Sequence, residues 1–263
     1  NVEREKRPEA FHGEIHIYPA VNPQALGNAS RLFPFFATDM NRLFGKRDKS
    51  LPTRIAEEFL EDIKSHSDIV IDLHSSNLHL QESPQIRIID GFDKNLIPLA
   101  QLCNVDVIWV HPMTPVFEHT LGYNLNRAKI PTLVVEAGIS LRIDQGISDS
   151  LFQGLINLLC RSGILNLPQP EIPIVKTPLL INSNHVVQIH APESGFFIQK
   201  MKIGSLPTRG DIIGELFDPV RGTSVEKIIS PKSGFLFTLR ALPSTYEGTV
   251  LARIACEEPK THE

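Results

Sequence analysis

The stretch "DIVIDLH" (68–74) decides how the rest of the chain is read. Its nearly continuous apolar run is what a strand carries when helices cover both faces of its sheet. Alternation of side chains turns Asp72 and His74 to one face, with His74 at the carboxyl end of the strand. Open α/β sheets present ligands at that edge. From the residues alone His74 is either a metal-binding imidazole or a core histidine satisfied by hydrogen bonds.

Outward from this run, "EIHIYPAV" (14–21), "QIRIID" (85–90), "VDVIWV" (105–110) and "TLVVEAG" (132–138) also read as strands. Between them "SLPTRIAEEFLEDIKSHS" (50–67) places Ile55, Phe59, Leu60 and Ile63 on one helical face, with Pro52 near its start. The segments 96–103 and 148–165 are helical in pattern, the second with Ser148 or Asp149 as N-cap. Such alternation predicts an α/β layer architecture.

The stretch 166–178 holds four prolines in thirteen residues and reads as a linker. Beyond it, short strands and turns predict a small all-β barrel or sandwich. There "IHAPESGFFI" (189–198) resembles "IISPKSGFLF" (228–237), and "TRGDIIGEL" resembles "YEGTVLARI", in the same order. An internal duplication giving a pseudo-two-fold barrel is therefore expected. The expected division is an α/β domain over 1–167, a linker over 168–178 and an accessory β domain over 179–263.

Composition narrows the function classes. The chain has 263 residues, is 41% hydrophobic and carries a net charge of −4 without clustered Lys and Arg, so nucleic acid is not an expected partner. Three widely spaced cysteines, Cys103, Cys160 and Cys256, form no metal-ligand spacing and read as thiols of a reducing cytoplasm. No apolar run is long enough to span a membrane and no secretory signal is visible, so no membrane partner is expected.

Two more segments carry chemistry. "DMNRLFG" (39–45), preceded by Arg31, offers amide and guanidinium donors that match a carboxylate, or else a loop salt bridge. "PTLVVEAGIS" (131–140) closes an apolar strand with Glu136, either a general base of raised pKa or a strand-end carboxylate reaching solvent. His79 is placed in a polar loop at the same edge, and Glu118, His119 and Tyr123 in a loop before the Glu136 strand. Ser75 and Ser76 lack the Gly-x-Ser-x-Gly elbow of a serine hydrolase.

Taken in order, "IHIYPAVNPQAL", Arg31, "DMNRLF", "DIVIDLH" and "PTLVVEAG" resemble the succinylglutamate desuccinylase/aspartoacylase family, relatives of the zinc carboxypeptidases. The resemblance covers about 13–138 and continues in the β region through "APESGFF" and "LPTRGDIIGEL". It implies a carboxypeptidase-like mixed sheet flanked by helices, followed by a small barrel or sandwich, with one zinc ion per chain. His74 becomes a zinc ligand and Glu136 the base that activates water. Asn41 and Arg42 become the pair that binds the substrate's carboxylate or carbonyl groups, and Arg31 an oxyanion stabiliser. The implied function is zinc-dependent hydrolysis of the amide of an N-acyl amino acid or small peptide-like substrate. A metallocarboxypeptidase-type peptidase and a metal-free, carboxylate-binding pseudoenzyme are the alternatives.

The sequence departs from the family pattern in two places. The family draws two further zinc ligands from a His-x-x-Glu motif upstream of its Pro-x-x-Asn-Pro segment. Here His12 is followed three residues later by Ile15, so the remaining ligands are expected upstream of Asn1. Phe44-Gly45 stands where the family has Phe-Pro-Gly. The barrel also resembles carriers of biotin or lipoate, but its matching hairpin "FDPVRG" (217–222) has no lysine, so it reads as an accessory domain.

Overall fold

The computed structural model describes residues 8–256. Segment 14–21 is not a strand. It lies along a helix instead: Tyr18 packs edge-on against Phe59 at 5.1 Å and donates its hydroxyl to Asp62 Oδ2 at 2.5 Å. No strand among the described residues pairs with it, and an apolar alternation without a neighbouring backbone does not make a sheet. The short helix α1 (Pro23–Gly27) follows, capped by Asn22, and then a hairpin of β1 (Leu32–Phe33) and β2 (Thr38–Asp39).

Helix α2 (Leu51–His66) starts at Ser50, whose hydroxyl accepts from the Thr53 N–H, with Pro52 in the first turn. Its buried stripe is Thr53, Ala56, Leu60 and Ile63. Ile55 is 39% exposed, so the stripe is rotated from the expected one. Phe59, on the shoulder between the two faces, also meets Tyr18.

The central sheet begins with β3 (Val70–Ser75), β4 (Leu80–Ile89), β5 (Val107–His111) and β6 (Thr132–Gly138). β3 and β6 are parallel, with Asp72 opposite Val134 and His74 opposite Glu136. β4 lies antiparallel on the other side of β6, with Gln85 opposite Glu136. At Pro84, which has no N–H to give to a ladder, β4 changes partner. Its first half pairs with β12 (Phe235–Arg240) of the C-terminal region and its second half with β5. β7 (Leu179–Asn182) then pairs in parallel with β5.

One face of this sheet packs Ile86, Ile88, Ile108, Leu133 and Val135 against α3 (Asp93–Ala100) and α5 (Gln145–Arg161). The N-cap of α5 is Asp144, which accepts from the Ile147 N–H at 3.0 Å, rather than Ser148 or Asp149. The sequence hides this because the first turn, Gln145-Gly146, is polar and lies before the apolar stripe. At one end of the opposite face, α2 and α4 (Leu121–Arg127) bury Phe44, Leu60, Ile63, Leu121 and Leu125. Tyr123, expected in a loop, belongs to α4.

Burial pushes the Cys103 thiol up to about 12. Since the thiolate is the reactive form, Cys103 is expected to resist iodoacetamide at pH 8 until the protein is denatured. Peptide mapping by mass spectrometry checks this, and rapid native-state alkylation of Cys103 would contradict the burial.

The C-terminal region contains β8 (Val186–His190), β9 (Gly195–Gln199), β10 (Ile212–Phe217), β11 (Ser224–Ile229), β13 (Ser244–Thr245) and β14 (Val250–Ala255) around Phe197, Ile213, Leu216, Leu236, Leu251 and Ile254. One sheet contains the run β11-β10-β9 and the other the run β8-β14-β12. The first of these sheets also takes β13 beside β9, so strands of the two similar sequence halves are mixed in both sheets. Because β12 also pairs with β4, this region continues the central sheet. Among the described residues no helix is long and apolar enough to cross a membrane.

Candidate active site

The parallel β3–β6 register places His74 and Glu136 side by side at the carboxyl ends of their strands. His74 Nε2 lies 3.0 Å from Asp72 Oδ2. The approach is poorly angled, so the buried Nε2 makes no well-formed hydrogen bond. Burial works against the charged imidazolium, but Asp72, and behind it the charge of Glu136, outweighs burial and raises the pKa of His74. For Glu136 burial is the main influence and raises its pKa, against the lowering pull of Arg87 and His74. Its side chain keeps 18% exposure, so it is desolvated and still reachable.

The other expected site residues sit around the hairpin before α2. Arg31 forks onto Asp39 through Nε at 2.8 Å and Nη2 at 2.7 Å, and its charge is felt by His74. Asp39 also accepts from the Asn41 N–H and fixes the turn Met40–Arg42. Asn41 Oδ1 accepts from the Leu121 N–H at 2.8 Å, which ties this turn to the start of α4. Arg42 Nη1 donates to the Asn41 carbonyl at 2.6 Å. Neither Asn41 nor Arg42 is hydrogen-bonded or ion-paired to His74 or Glu136 among the described residues. His119 engages the Phe44 carbonyl, and the His79 carbonyl accepts from the Ala241 and Leu242 N–H groups.

Arg87 was not among the expected site residues. Its Nη1 lies 3.8 Å from Glu136 Oε1, and its Nη2 donates to both carboxylate oxygens of Glu82 at 2.7 and 2.9 Å. The available signal was Gln85 and Arg87 alternating with Ile86 and Ile88 in the run "QIRIID", since a charge on an otherwise apolar strand needs a buried partner.

A zinc ion takes at least three protein ligands, from His, Cys or carboxylates. His74 Nε2, whose contact with the Asp72 carboxylate is poorly angled, suits one of these positions. Among the described residues, however, no group of three or more His, Cys, Asp or Glu converges to hold a metal. The described residues therefore do not on their own make a zinc site.

Comparison with known proteins shows what the chain is similar to in sequence and fold. The chain is 24% identical over 265 residues to the N-alpha-acetyl-L-2,4-diaminobutyric acid deacetylase of Halomonas elongata, covering 95% of this chain and 74% of that protein. In fold it is similar to a succinylglutamate desuccinylase from Silicibacter sp., with TM-score 0.80 and 19% identity over 95% of this chain and 77% of that one. The product-bound ectoine utilization protein EutE from Ruegeria pomeroyi gives a TM-score of 0.78 and 17% identity over 94% and 76%. Residues 2–160 match the family described as the succinylglutamate desuccinylase/aspartoacylase catalytic domain, and the chain belongs to that family.

Proposed function

We propose that this protein hydrolyses the amide of an N-acyl amino acid, with Glu136 as the general base. The supporting observation is Glu136 itself: a half-buried carboxylate at a strand end, in register with His74, with its pKa raised by burial. A base works best when its pKa approaches the working pH, and burial moves this carboxyl in that direction. Glu136 accepts a proton from the water that attacks the acyl carbon and returns it to the leaving amine. The carboxylate of the substrate would be met by guanidinium or amide donors of Arg31, Asn41 and Arg42, after Arg31 and Arg42 leave their present partners.

Zinc dependence belongs to this proposal, with His74 as one ligand and the others outside the described residues. The C-terminal region, 179–263, is read as accessory to the catalytic one. The relatives' names make N-alpha-acetyl-L-2,4-diaminobutyrate and N-succinyl-L-glutamate the first substrates to try. Incubation of the full-length protein with these and with short peptides, followed by chromatography of free amines, tests the proposal, with zinc content measured on the same sample. Amine release from acyl amino acids is expected. Release from peptides alone would replace deacylation by peptidase activity, and active protein free of zinc would remove the metal from the proposal.

A further inference from the structure

The sheet face that carries Glu136 also carries a charged cluster that the proposed hydrolysis leaves unused. Glu82 is 2% exposed, yet ionic partners meet it from two strands. Arg87 Nη2 donates to both of its oxygens, and Arg253 Nη1, on β14, donates to Oε1 at 3.1 Å. The two guanidinium groups stand over the ring of Trp109, 5.6 and 5.9 Å from its centre. Beside them Gln85, fully buried and opposite Glu136 on β4, has no hydrogen-bond partner for either amide atom among the described residues.

Two guanidinium groups face two carboxylates, Glu82 and Glu136. Burying such a set is costly, and well-packed apolar residues often serve stability as well or better. Its position explains the expense. One end of the Arg87 fork is held by Glu82, and the other end points toward Glu136 Oε1. A planar guanidinium seated on an aromatic ring and clamped by a carboxylate has little freedom to move.

We propose that Arg87 is a positioning residue that aims the Glu136 carboxylate, and that the C-terminal β region holds Arg87 in place through Arg253 and Glu82. The inference rests on the reading of Glu136 as the base. It makes the β region part of the catalytic geometry, because Arg253 reaches Glu136 through only two intervening side chains.

Trp109 is the sole tryptophan, so its indole N–H gives a single resonance in protein labelled with 15N-tryptophan. Glu136→Gln is expected to shift that resonance in the wild-type background and to leave it in place in Arg87→Met. A shift equal in both backgrounds, or absent from both, overturns the coupling. If Arg87→Met does not fold, Arg87→Lys carries the same comparison, since it keeps the charge and loses the fork.

With N-alpha-acetyl-L-2,4-diaminobutyrate as probe, Arg253→Met is expected to lower kcat by about 10–100-fold, the scale of a small misplacement of a catalytic group. KM is expected to stay within about twofold, and Arg253→Lys to recover part of the loss. A raised KM with unchanged kcat would assign the cluster to substrate binding and overturn the positioning role. If the wild-type protein hydrolyses no acyl amino acid, the functional reading fails, while the indole comparison still decides whether Arg87 couples Glu136 to the cluster.

Discussion

Replacing Glu136 by Gln is expected to cut amide hydrolysis by about 10²–10⁴-fold, the usual worth of a general base, with the fold intact. Gln has the shape of Glu and fits the same strand end between His74 and Gln85, but its amide cannot take a proton from water. The same substitution should raise thermal stability at neutral and higher pH. Burial raises the folded-state pKa of Glu136 despite the opposing charges of Arg87 and His74. A raised pKa in an acid means that the unfolded chain loses its proton first. The cost to folding is absent below the ordinary carboxyl range, develops as pH rises toward the raised value, and is complete above it. Glu136→Gln removes that cost, so its Tm advantage over the wild type should shrink as the pH is lowered. A Tm below that of the wild type at pH 8 would mean that the carboxylate is stabilising where it sits.

Gly154→Ala is expected to destabilise the protein by about 3 kcal/mol or more, at the upper end of overpacking costs. A Cβ at Gly154 would lie 2.0 Å from the Cys103 carbonyl oxygen, 2.3 Å from its carbon and 2.9 Å from the Asn104 nitrogen. All three are backbone atoms, so no side chain can swing aside. The loop is also fastened to α5 on both sides of the contact. Asn104 Nδ2 donates to the Ser150 carbonyl at 2.9 Å, and Asn157 Nδ2 donates to the Leu102 carbonyl at 3.0 Å. Relief therefore requires α5, with its buried Leu158, to lift from the apolar face that includes Leu133 and Val135. Against a total stability of about 5–15 kcal/mol this is a large loss. Urea unfolding of purified variant and parent measures it, and an unchanged midpoint would show that the helix and loop can separate freely.

The β3–β6 pair was legible because its information is local. Each run is apolar and ends in a polar residue, and alternation alone puts Asp72 with His74 and Val134 with Glu136. Segment 14–21 has the same alternation but no paired neighbour, and pairing is a property of two strands rather than one. The tilt of the α2 stripe was hidden for a similar reason: Tyr18, more than 40 residues away from Asp62 and Phe59, covers the shoulder of the helix. The charged cluster was the least legible part. Arg253 and Glu82 are 171 positions apart and meet only because β4 leaves β5 for β12 at Pro84. The local signal was only that Arg87 stands among Ile86, Ile88 and Ile89, and that Arg253 is the one charge in "VLARIA".

The functional account reduces to one event, the addition of water to an acyl carbon beside Glu136. It is tested most directly by incubating the full-length protein with N-alpha-acetyl-L-2,4-diaminobutyrate in 18O-enriched water. Mass spectrometry of the released acetate follows the oxygen. The predicted result is one 18O atom per acetate, formed in step with the free amine by the wild type and lost with Glu136→Gln. Label incorporation and amine release that persist undiminished in Glu136→Gln would contradict the account.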